Sequence, residues 1–492
     1  RMNLAVVIRA TAGLCEVVKR HATGTPTLVV GCDARYGSSE FATAACRVAS
    51  AAGVRVLALP QANPTPLTSF SMLHFDADAG VMVTASHNPA PDNGYKVYLG
   101  GTVVQGDGRG VQIVPPFDAE IAAAIEAAPP ADEVPMNDDL IEVVDPREEY
   151  VACASALASG EASAREDLRI VLTAMHGVGA AITSRVLSEA GFSHVSLVAA
   201  QADPDPDFPT VPFPNPEEAG ALDMAIEQAR EQGADLIIAV DPDADRCALA
   251  VPDPTSETGW SPLSGDQIGS LLGEFLASRG MKGSLANSIV SSRLLSRIAR
   301  AHGLDHHTTL TGFKWIARAP GLGFGYEEAI GFCPDPAHVR DKDGIATSVV
   351  AASLVAALKA QGRSVWDELE RLARLHGLHV SSPLTFRVEQ IEQIASGMAR
   401  LRAQPPSVLA GSPVVEVSDL SQGYRGLPPT DGVLVLTEAG DRVIARPSGT
   451  EPKLKCYLEV ILPVAEGEPL PWEQARERLD SIKGAFAEII GL

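Results

Sequence analysis

Aromatic residues and positive charge are both scarce in this sequence of 492 residues. Phe, Trp and Tyr make up only 5% of it, so its cores should be built mainly from Ala, Val, Leu and Ile. Lys and Arg number 39 against 62 Asp and Glu, which gives a formal net charge of −23. That charge argues against nucleic acid or an anionic membrane as a partner. It also disfavours an anionic substrate unless positive side chains are concentrated in one place.

Long apolar runs and cysteine motifs are missing as well. No run approaches the roughly 20 apolar residues of a membrane span, and no signal peptide is visible. The seven cysteines are odd in number, widely scattered and without C-x-x-C spacing. We expect reduced thiols in a cytoplasmic protein. The length predicts about three or four domains.

The most informative segment is an apolar strand that leads directly into three carboxylates. Residues 236–240 are followed by Asp241, Asp243 and Asp245 at alternate positions. Pro242 disfavours a helix for Asp241, and side chains two apart in an extended segment point the same way. The three carboxylates can therefore converge on one point. An all-oxygen ligand set favours Mg²⁺ or Ca²⁺ over zinc.

Three other kinds of structure could contain an acidic segment of this type. An EF-hand loop would need Gly where Arg246 stands and a bidentate Glu where Pro252 stands, so that class of site is excluded. A solvated acidic turn is common enough to remain open. A phosphatase-like site with Asp241 as a covalent nucleophile also remains open, unless a better nucleophile exists elsewhere.

A candidate nucleophile follows another apolar strand. Residues 81–83 lead into Thr84, and the segment ends in Ser86, His87, Asn88 and Pro89. Pro89 stops the chain from continuing as regular structure. A Ser beside a His in a polar turn is more often only a turn. Because adjacent side chains rarely face each other, we do not expect a Ser/His pair of the hydrolase kind.

Two further segments carry groups suited to a phosphorylated sugar. Residues 446–455 gather a guanidinium, two hydroxyls, a glycine and two ammonium groups, which are the parts of a phosphate clamp. An exposed basic turn is the alternative. Residues 325–331 place Glu327 and Glu328 between glycines, and carboxylates can accept hydrogen bonds from sugar hydroxyls. That segment could equally be a loop facing water.

In this order and spacing, the four segments resemble the α-D-phosphohexomutase superfamily over essentially the whole chain. Other stretches look like one branch of it, in which bacterial phosphoglucomutase/phosphomannomutase-like enzymes stand with animal phosphopentomutase and glucose-bisphosphate synthase relatives. These stretches are residues 92–96, 175–179, 208–211, 215–218 and 311–315. The resemblance implies a sugar-phosphate mutase, an intramolecular phosphotransferase.

The same resemblance implies that Ser86 carries a phosphoryl group and that Ser86, Asp241, Asp243 and Asp245 hold Mg²⁺. A phosphoserine adds roughly −1.5 to −2 charge, so the four groups together would carry about −5 without a metal. Phosphoserine would then donate to a sugar monophosphate. The resulting bisphosphate would turn over in place and return its other phosphate to Ser86. Glucose 1,6-bisphosphate, or a matching sugar bisphosphate, is the expected activator.

Positively charged residues are expected to complete the site. Arg246 would face the phosphoryl oxygens. Lys342 is the predicted general base, because burial or cationic neighbours could lower its pKa, and His87 is the other candidate. By composition Lys342 could also be a surface lysine, and Lys314 could lie over an aromatic ring instead of binding phosphate. The predicted substrate-binding residues are Lys96, Lys314, Glu327, Glu328, Arg446, Ser448, Gly449, Thr450 and Lys455.

Departures from the superfamily pattern leave the sugar open. Ala329 stands where many relatives have a serine in the sugar-binding motif, and the usual Gly- and Arg-containing opening segment is not among the numbered residues. Hexose phosphates, of glucose or mannose, are the first expectation and pentose phosphates the second. A sugar-phosphate phosphatase and a catalytically silent binder are more distant alternatives. Small-molecule sugar phosphates are the expected partners of a cytoplasmic monomer or homodimer.

Alternating strands and amphipathic helices predict an α/β fold. The expected plan is three similar α/β domains with mixed sheets and a C-terminal α+β domain around a central cleft. The domain bounds are 1–140, 141–255, 256–377 and 378–492, which carry the phosphoserine, metal, sugar and phosphate loops in that order. The expected boundaries between the domains are stretches 128–145 and 252–262 and the region after Gly377. Expected strands include 27–31, 54–59, 80–84, 169–173, 236–240, 288–290, 385–388, 432–436 and 455–459.

Overall fold

The computed structural model describes residues 2–448 and 452–491. The chain divides into two compact units. One comprises Arg1–Ala286 with Phe313–Val365, and the other comprises Asn287–Gly312 with Trp366–Leu492. The α/β architecture with mixed sheets and a C-terminal α+β part, as predicted, is confirmed.

The first sheet mixes parallel and antiparallel strands. Its elements are α1 (Leu4–His21), β1 (Thr27–Cys32), α2 (Ser38–Ala51), β2 (Arg55–Ala58), α3 (Thr65–His74), β3 (Ala79–Val83), β4 (Tyr95–Leu99), β5 (Val111–Gln112), α4 (Phe117–Ala127) and β6 (Ile141–Val143). The strand order is β5-β4-β3-β1-β2-β6. β1 and β3 pair in parallel and are buried, which explains their continuous apolar runs. β6 pairs with β2, so this sheet extends past the expected boundary at residue 140.

The second sheet carries the acidic segment at the end of a central strand. Its elements are α5 (Arg147–Ser155), α6 (Ala162–Glu166), β7 (Arg169–Thr173), α7 (Ala180–Glu189), β8 (His194–Leu197), α8 (Asp223–Gln232), β9 (Leu236–Val240), β10 (Cys247–Pro252) and β11 (Trp260–Pro262). The order is β11-β10-β9-β7-β8. The expected domain boundary at 252–262 overlaps an antiparallel hairpin of β10 and β11, with Ala250 opposite Pro262.

The third segment carries the predicted sugar-binding loop. Its elements are α9 (Gly265–Ser278), β12 (Ser284–Ser288), α10 (Leu294–Ala301), β13 (His306–Thr309), α11 (Phe313–Ile316), β14 (Leu322–Glu327), β15 (Gly331–Cys333), α12 (Gly344–Ala360) and α13 (Val365–His376). The expected strand at 288–290 is misplaced, because β12 ends at Ser288. The apolar residues Ile289 and Val290 are buried in a cluster with Leu434 and Ile444, and they do not belong to a strand.

The C-terminal part is an antiparallel sheet with helices, as predicted. Its elements are β16 (Leu378–Arg387), α14 (Ile391–Ala403), β17 (Val408–Leu409), β18 (Ser412–Asp419), β19 (Val433–Thr437), β20 (Arg442–Pro447), β21 (Lys453–Leu462) and α15 (Trp472–Ile490). The order is β16-β21-β20-β19-β18-β17. Both helices contribute to the core that covers the sheet, for example through Met398 and Phe486.

The structure bears on the state of the cysteines and on the presence of membrane-spanning helices. All seven cysteines are free thiols, and six of them are buried. Within residues 2–448 and 452–491, no single helix has both the length and the apolar character to cross a membrane, although the bent pair α12 and α13 passes when the two helices are counted together.

Candidate active site

Ser86 lies in a loop just beyond the carboxyl end of β3. Its backbone has a φ of 51°, in the left-handed region, and its N–H donates to Thr84 Oγ1 over 2.9 Å. Its hydroxyl donates to Asp241 Oδ2 over 2.8 Å. The predicted nucleophile and the first predicted metal ligand are thus in direct contact, although 155 positions separate them in the sequence.

His87 lies closer to Ser86 than expected. Its Nδ1 is 3.3 Å from Ser86 Oγ, although we expected adjacent side chains to face apart. The left-handed turn at Ser86 departs from the extended backbone on which that expectation rests. Burial, and then the charge of Arg246, lower the pKa of His87 to about 2. At neutral pH the imidazole is therefore uncharged and only weakly basic.

The three aspartates converge as predicted. Asp241, Asp243 and Asp245 are fully buried, and one oxygen from each lies within 4.8 Å of the others. Burial, and then the charges of Asp243 and Asp245, raise the pKa of Asp241 well above its usual range. Within the described residues, Oδ1 of Asp243 and Oδ1 of Asp245 accept no hydrogen bond. Buried carboxylate oxygens that accept no hydrogen bond suit a hard cation, so this acidic site suits a metal.

Two lysines already contact the aspartates. Lys96 Nζ lies 2.8 Å from Asp243 Oδ2 and 2.7 Å from Asp245 Oδ2. Although burial opposes its charge, the two carboxylates raise the pKa of Lys96. Lys342 Nζ lies 3.2 Å from the same oxygen of Asp245. Lys96, predicted to bind substrate, is thus a partner of the predicted metal ligands in this structure.

The pKa expectation for Lys342 is wrong. The side chain is buried, which by itself would lower the pKa, but Asp245, Asp341 and Glu327 outweigh burial and raise it. Asp341 is itself held by Tyr98, whose hydroxyl donates to Asp341 Oδ2 over 2.7 Å. Lys342 is therefore a positively charged side chain held in place by carboxylates. Because it is buried, the alternative of a surface lysine in a charged turn is wrong.

Arg246 connects the predicted metal-binding loop with the predicted sugar-binding loop. Its backbone N–H donates to Asp241 Oδ1 over 2.9 Å, and its Nη1 donates to the carbonyl oxygen of Ala329 over 3.1 Å. Its Nε lies 4.0 Å from Asp241 Oδ2, so the guanidinium sits beside the carboxylate that Ser86 contacts. Its role next to a phosphoryl group stays a prediction.

Glu327 and Glu328 end the strand β14 and begin the following turn. Both side chains are half-buried, and the Glu327 charge acts on both Arg246 and Lys342. Lys314 lies on the short helix α11 and is also half-buried. Glu327, Glu328 and Lys314 all belong to the same compact unit as Ser86 and the aspartates.

The predicted phosphate clamp belongs to the other compact unit. Arg446 on β20 and Lys455 on β21 stand opposite each other in the antiparallel register. The backbone N–H of Ser448 donates to the carbonyl oxygen of Lys453 over 2.8 Å, which closes the start of the loop. Gly449 and Thr450 lie outside the described residues.

Two residues that the sequence did not indicate, Thr65 and Arg35, hold Asp243 and the Ser86 loop in place. Thr65 donates to Asp243, and Arg35 donates to the loop that carries Ser86. Arg35 follows β1, whose carboxyl end lies beside that of its parallel neighbour β3. Since ligand sites in α/β sheets lie at the carboxyl ends of strands, this position was a usable signal. Thr65, at the start of α3, carried no comparable signal.

The stretch at residues 175–179 also acquires a structural role. Val178 donates its N–H to the carbonyl oxygen of Pro242 over 2.9 Å, between two of the aspartates. A Cβ at Gly177 would lie 2.3 Å from Pro242 Cα, so only glycine allows this approach. The strand-to-helix turn after β7 therefore packs against the predicted metal-binding loop and supports it.

Comparison with known families and proteins covers most of the chain. Residues 1–131, 148–255, 264–375 and 387–468 match the phosphoglucomutase/phosphomannomutase alpha/beta/alpha domains I, II and III and the C-terminal domain, respectively. The chain is 44% identical over 466 residues to a Haemophilus influenzae protein named "Probable phosphomannomutase", covering 93% of each chain. It is 31% identical over 542 residues to the phosphopentomutase of Mus musculus, covering 99% of this chain and 85% of that one.

A solved structure is similar over nearly the whole length. A "putative phosphomannomutase" from Thermus thermophilus superposes with a TM-score of 0.74 at 25% identity, covering 98% of this chain and 95% of that one. The similarity therefore extends from the four sequence segments to the arrangement of helices and strands around them.

Proposed function

The chain belongs to the phosphoglucomutase/phosphomannomutase family, the phosphohexomutase type of isomerase, and on that premise we propose that it interconverts hexose 1-phosphates and hexose 6-phosphates of glucose or mannose. One observation carries the proposal: Ser86 Oγ lies 2.8 Å from Asp241 within a buried triad of carboxylates. The 44% identity to a protein named as a phosphomannomutase, against 31% to a phosphopentomutase, favours hexose over pentose.

In the proposed reaction, Ser86 carries the phosphoryl group between substrates. A sugar hydroxyl oxygen attacks the phosphorus, the bond from phosphorus to Ser86 Oγ breaks, and the sugar becomes a bisphosphate. Ser86 Oγ then attacks the other phosphorus of that sugar, and the bond from this phosphorus to its sugar oxygen breaks. This step restores phosphoserine, and the sugar oxygen takes up a proton and becomes the free hydroxyl of the isomeric monophosphate. Arg246 supplies a fixed guanidinium beside Asp241, where the transferred group must lie.

The aspartates are proposed to hold Mg²⁺ together with an oxygen on Ser86. When bound, the ion would offset the carboxylate charges and withdraw charge from the phosphoryl group. The fit rests on Oδ1 of Asp243 and Oδ1 of Asp245, which are buried and accept no hydrogen bond within the described residues. Glu327 and Glu328 are proposed to bind the sugar hydroxyls.

The attacking hydroxyl must also lose its proton. Lys342 and His87 remain the predicted acceptors. In the structure a protonated Lys342 has no free lone pair, and His87 has a pKa of about 2. Neither is a strong base as it stands, and kcat measured for variants at both positions tests which of them accepts the proton.

A time course followed by ³¹P NMR tests the function. Glucose 1-phosphate, mannose 1-phosphate and ribose 1-phosphate are offered separately with Mg²⁺ and a trace of glucose 1,6-bisphosphate, the proposed activator. Formation of a hexose 6-phosphate faster than ribose 5-phosphate supports the proposal. Preference for ribose favours the alternative, a phosphopentomutase. Accumulation of inorganic phosphate alone would indicate a phosphatase.

A further inference from the structure

We propose that Arg35 is the positioning residue that sets the place of the Ser86 nucleophile. This role rests on the proposed function, in which Ser86 is the nucleophile. Arg35 follows β1, while Ser86 follows the parallel neighbour β3, so the two loops lie side by side at one edge of the sheet. Arg35 is only 5% exposed and touches the Ser86 loop through its backbone.

One guanidinium gathers four carbonyl oxygens of that loop. Nη2 donates to Ser86 over 2.6 Å and to Asn88 over 2.7 Å. Nη1 donates to Pro89 over 3.0 Å and more weakly to Asp92 over 3.4 Å. The carbonyl oxygens of segment 86–92 therefore face one guanidinium, and one of them belongs to Ser86 itself.

The guanidinium is fixed from its other sides. Its Nε lies 3.3 Å from Asp33 Oδ2, and both side chains are almost fully buried. Asp33 is held in turn by the hydroxyl of Ser38 over 2.6 Å. The ring of Phe208 covers the guanidinium, with the Arg35 Cζ 5.0 Å from the ring centroid. Arg35 therefore has little freedom to move away from the loop.

Arginine chemistry is required at this position. A planar guanidinium presents several N–H donors in a rigid fork, whereas the lysine ammonium is a compact point charge with three donors. The Ser86 backbone is left-handed, a conformation that a non-glycine residue adopts only when its surroundings enforce it. We infer that the Arg35 contacts enforce it and so keep Ser86 Oγ on Asp241.

The experiment compares Arg35→Lys and Arg35→Ala with the wild type. Arg165→Lys is the matched control, because Arg165 also donates to two backbone carbonyls, those of Ala190 and Gly160, in a different loop. Amide hydrogen exchange is measured over residues 84–93. Phosphorylation of Ser86 by glucose 1,6-bisphosphate is followed by intact mass, and kcat and KM are measured for the hexose phosphate.

We expect Arg35→Lys to exchange faster over residues 84–93 and to lose about 100-fold in kcat with little change in KM, since small misplacements of a reacting group cost that much. Added guanidinium, well below denaturing concentrations, should restore part of the phosphorylation rate of Arg35→Ala and leave Arg165→Lys unchanged. If Arg35→Ala does not fold, Arg35→Lys decides by itself.

Unchanged exchange in the 84–93 segment of Arg35→Lys would overturn the inference, as would faster exchange spread evenly over the first sheet. A wild type that never becomes phosphorylated would instead refute the proposed function. The exchange measurement would still decide whether Arg35 positions the loop, so the two failures are distinguishable.

Discussion

Thr65 holds Asp243 at two points. Its hydroxyl donates to Asp243 Oδ2 over 2.6 Å, and its backbone N–H donates to the carbonyl oxygen of Asp243 over 2.9 Å. Thr65 begins α3 beside the first sheet, while Asp243 follows β9 of the second. The pair therefore joins two sheets at the proposed metal site. Thr65 is not itself a predicted metal ligand, but it orients Asp243, which is one.

Replacing Thr65 with Val should weaken Mg²⁺ binding by about 10–100-fold, the usual effect of removing a partner that orients a metal ligand. The backbone contact would remain, so the fold should be kept. Thr183→Val is the control, because Thr183 is buried and its hydroxyl has no partner among the described residues. Calorimetric titration with Mg²⁺ measures the effect. Equal affinities in the two variants would contradict the orienting role.

Replacing Ser86 with Ala should abolish phosphorylation of the protein. Incubation of the wild type with glucose 1,6-bisphosphate should add the mass of one phosphoryl group, whereas Ser86→Ala should stay unmodified and inactive. Ser39→Ala is the control, since Ser39 is an exposed serine bonded to Gln61 in the same domain. An alanine variant at position 86 that still becomes phosphorylated, or that keeps its activity, would rule out Ser86 as the carrier.

Replacing Gly331 with Ala should displace Lys342. A Cβ there would lie 2.3 Å from Lys342 Cδ and 3.0 Å from Glu327 Cγ, and such distances force the neighbours to move. We expect a loss of about 100-fold in kcat from misplacement of these groups. Thermal unfolding should change little if the long side chains absorb the shift.

A matched control for this change is Gly484→Ala. Gly484 lies in the helix α15, and a Cβ there meets no atom within 4 Å. Alanine should stabilise that helix by about 0.5–1 kcal/mol and leave kcat unchanged. If both alanine variants kept full activity, close packing at Gly331 would have no part in holding Lys342.

Glu459 should make stability depend on acid pH. It is 1% exposed and accepts from Ser292 Oγ over 2.8 Å and from Arg293 Nε over 2.6 Å. Although burial opposes ionisation, Arg442, His379 and Arg293 lower the pKa of Glu459 well below its usual range. Glu459→Gln should destabilise the second unit by about 3–5 kcal/mol at neutral pH, as when one partner of a buried ion pair is removed.

The sign of the pH dependence follows from the lowered pKa. A carboxyl whose pKa is lower in the folded state contributes stability above its ordinary pKa of 4.5, and that stability is lost as the pH falls toward the folded value. Urea unfolding of wild type and Glu459→Gln should thus differ by a constant amount above pH 4.5, and the difference should shrink as the pH falls below 4.5. Glu16→Gln, at an exposed ion pair with Arg20, should show no such difference. A gap that stayed constant in acid would contradict the assignment.

Local patterns in the sequence were sufficient for several parts of the site. The alternate spacing of Asp241, Asp243 and Asp245 after a strand places three carboxylates on one side, and the structure confirms that they converge. Most strands and helices also lie within a few residues of their expected positions, because apolar periodicity is a local property. One exception is 288–290, where a packing cluster uses residues that resemble a strand. Another is the hairpin of β10 and β11, which overlaps a stretch expected only as a domain boundary.

The sequence by itself determined which residues are chemically able to carry phosphate, hold a metal and bind a sugar, since these depend on side-chain type and short spacing. Only the tertiary structure decided their partners. Lys96 contacts Asp245 across 149 positions, and Thr65 contacts Asp243 across 178. Such contacts, and the raised pKa of Lys342 that reverses the expected lowering, depend on which strand ends meet at a sheet edge. Packing of whole elements fixes that arrangement, and no short stretch of sequence contains it.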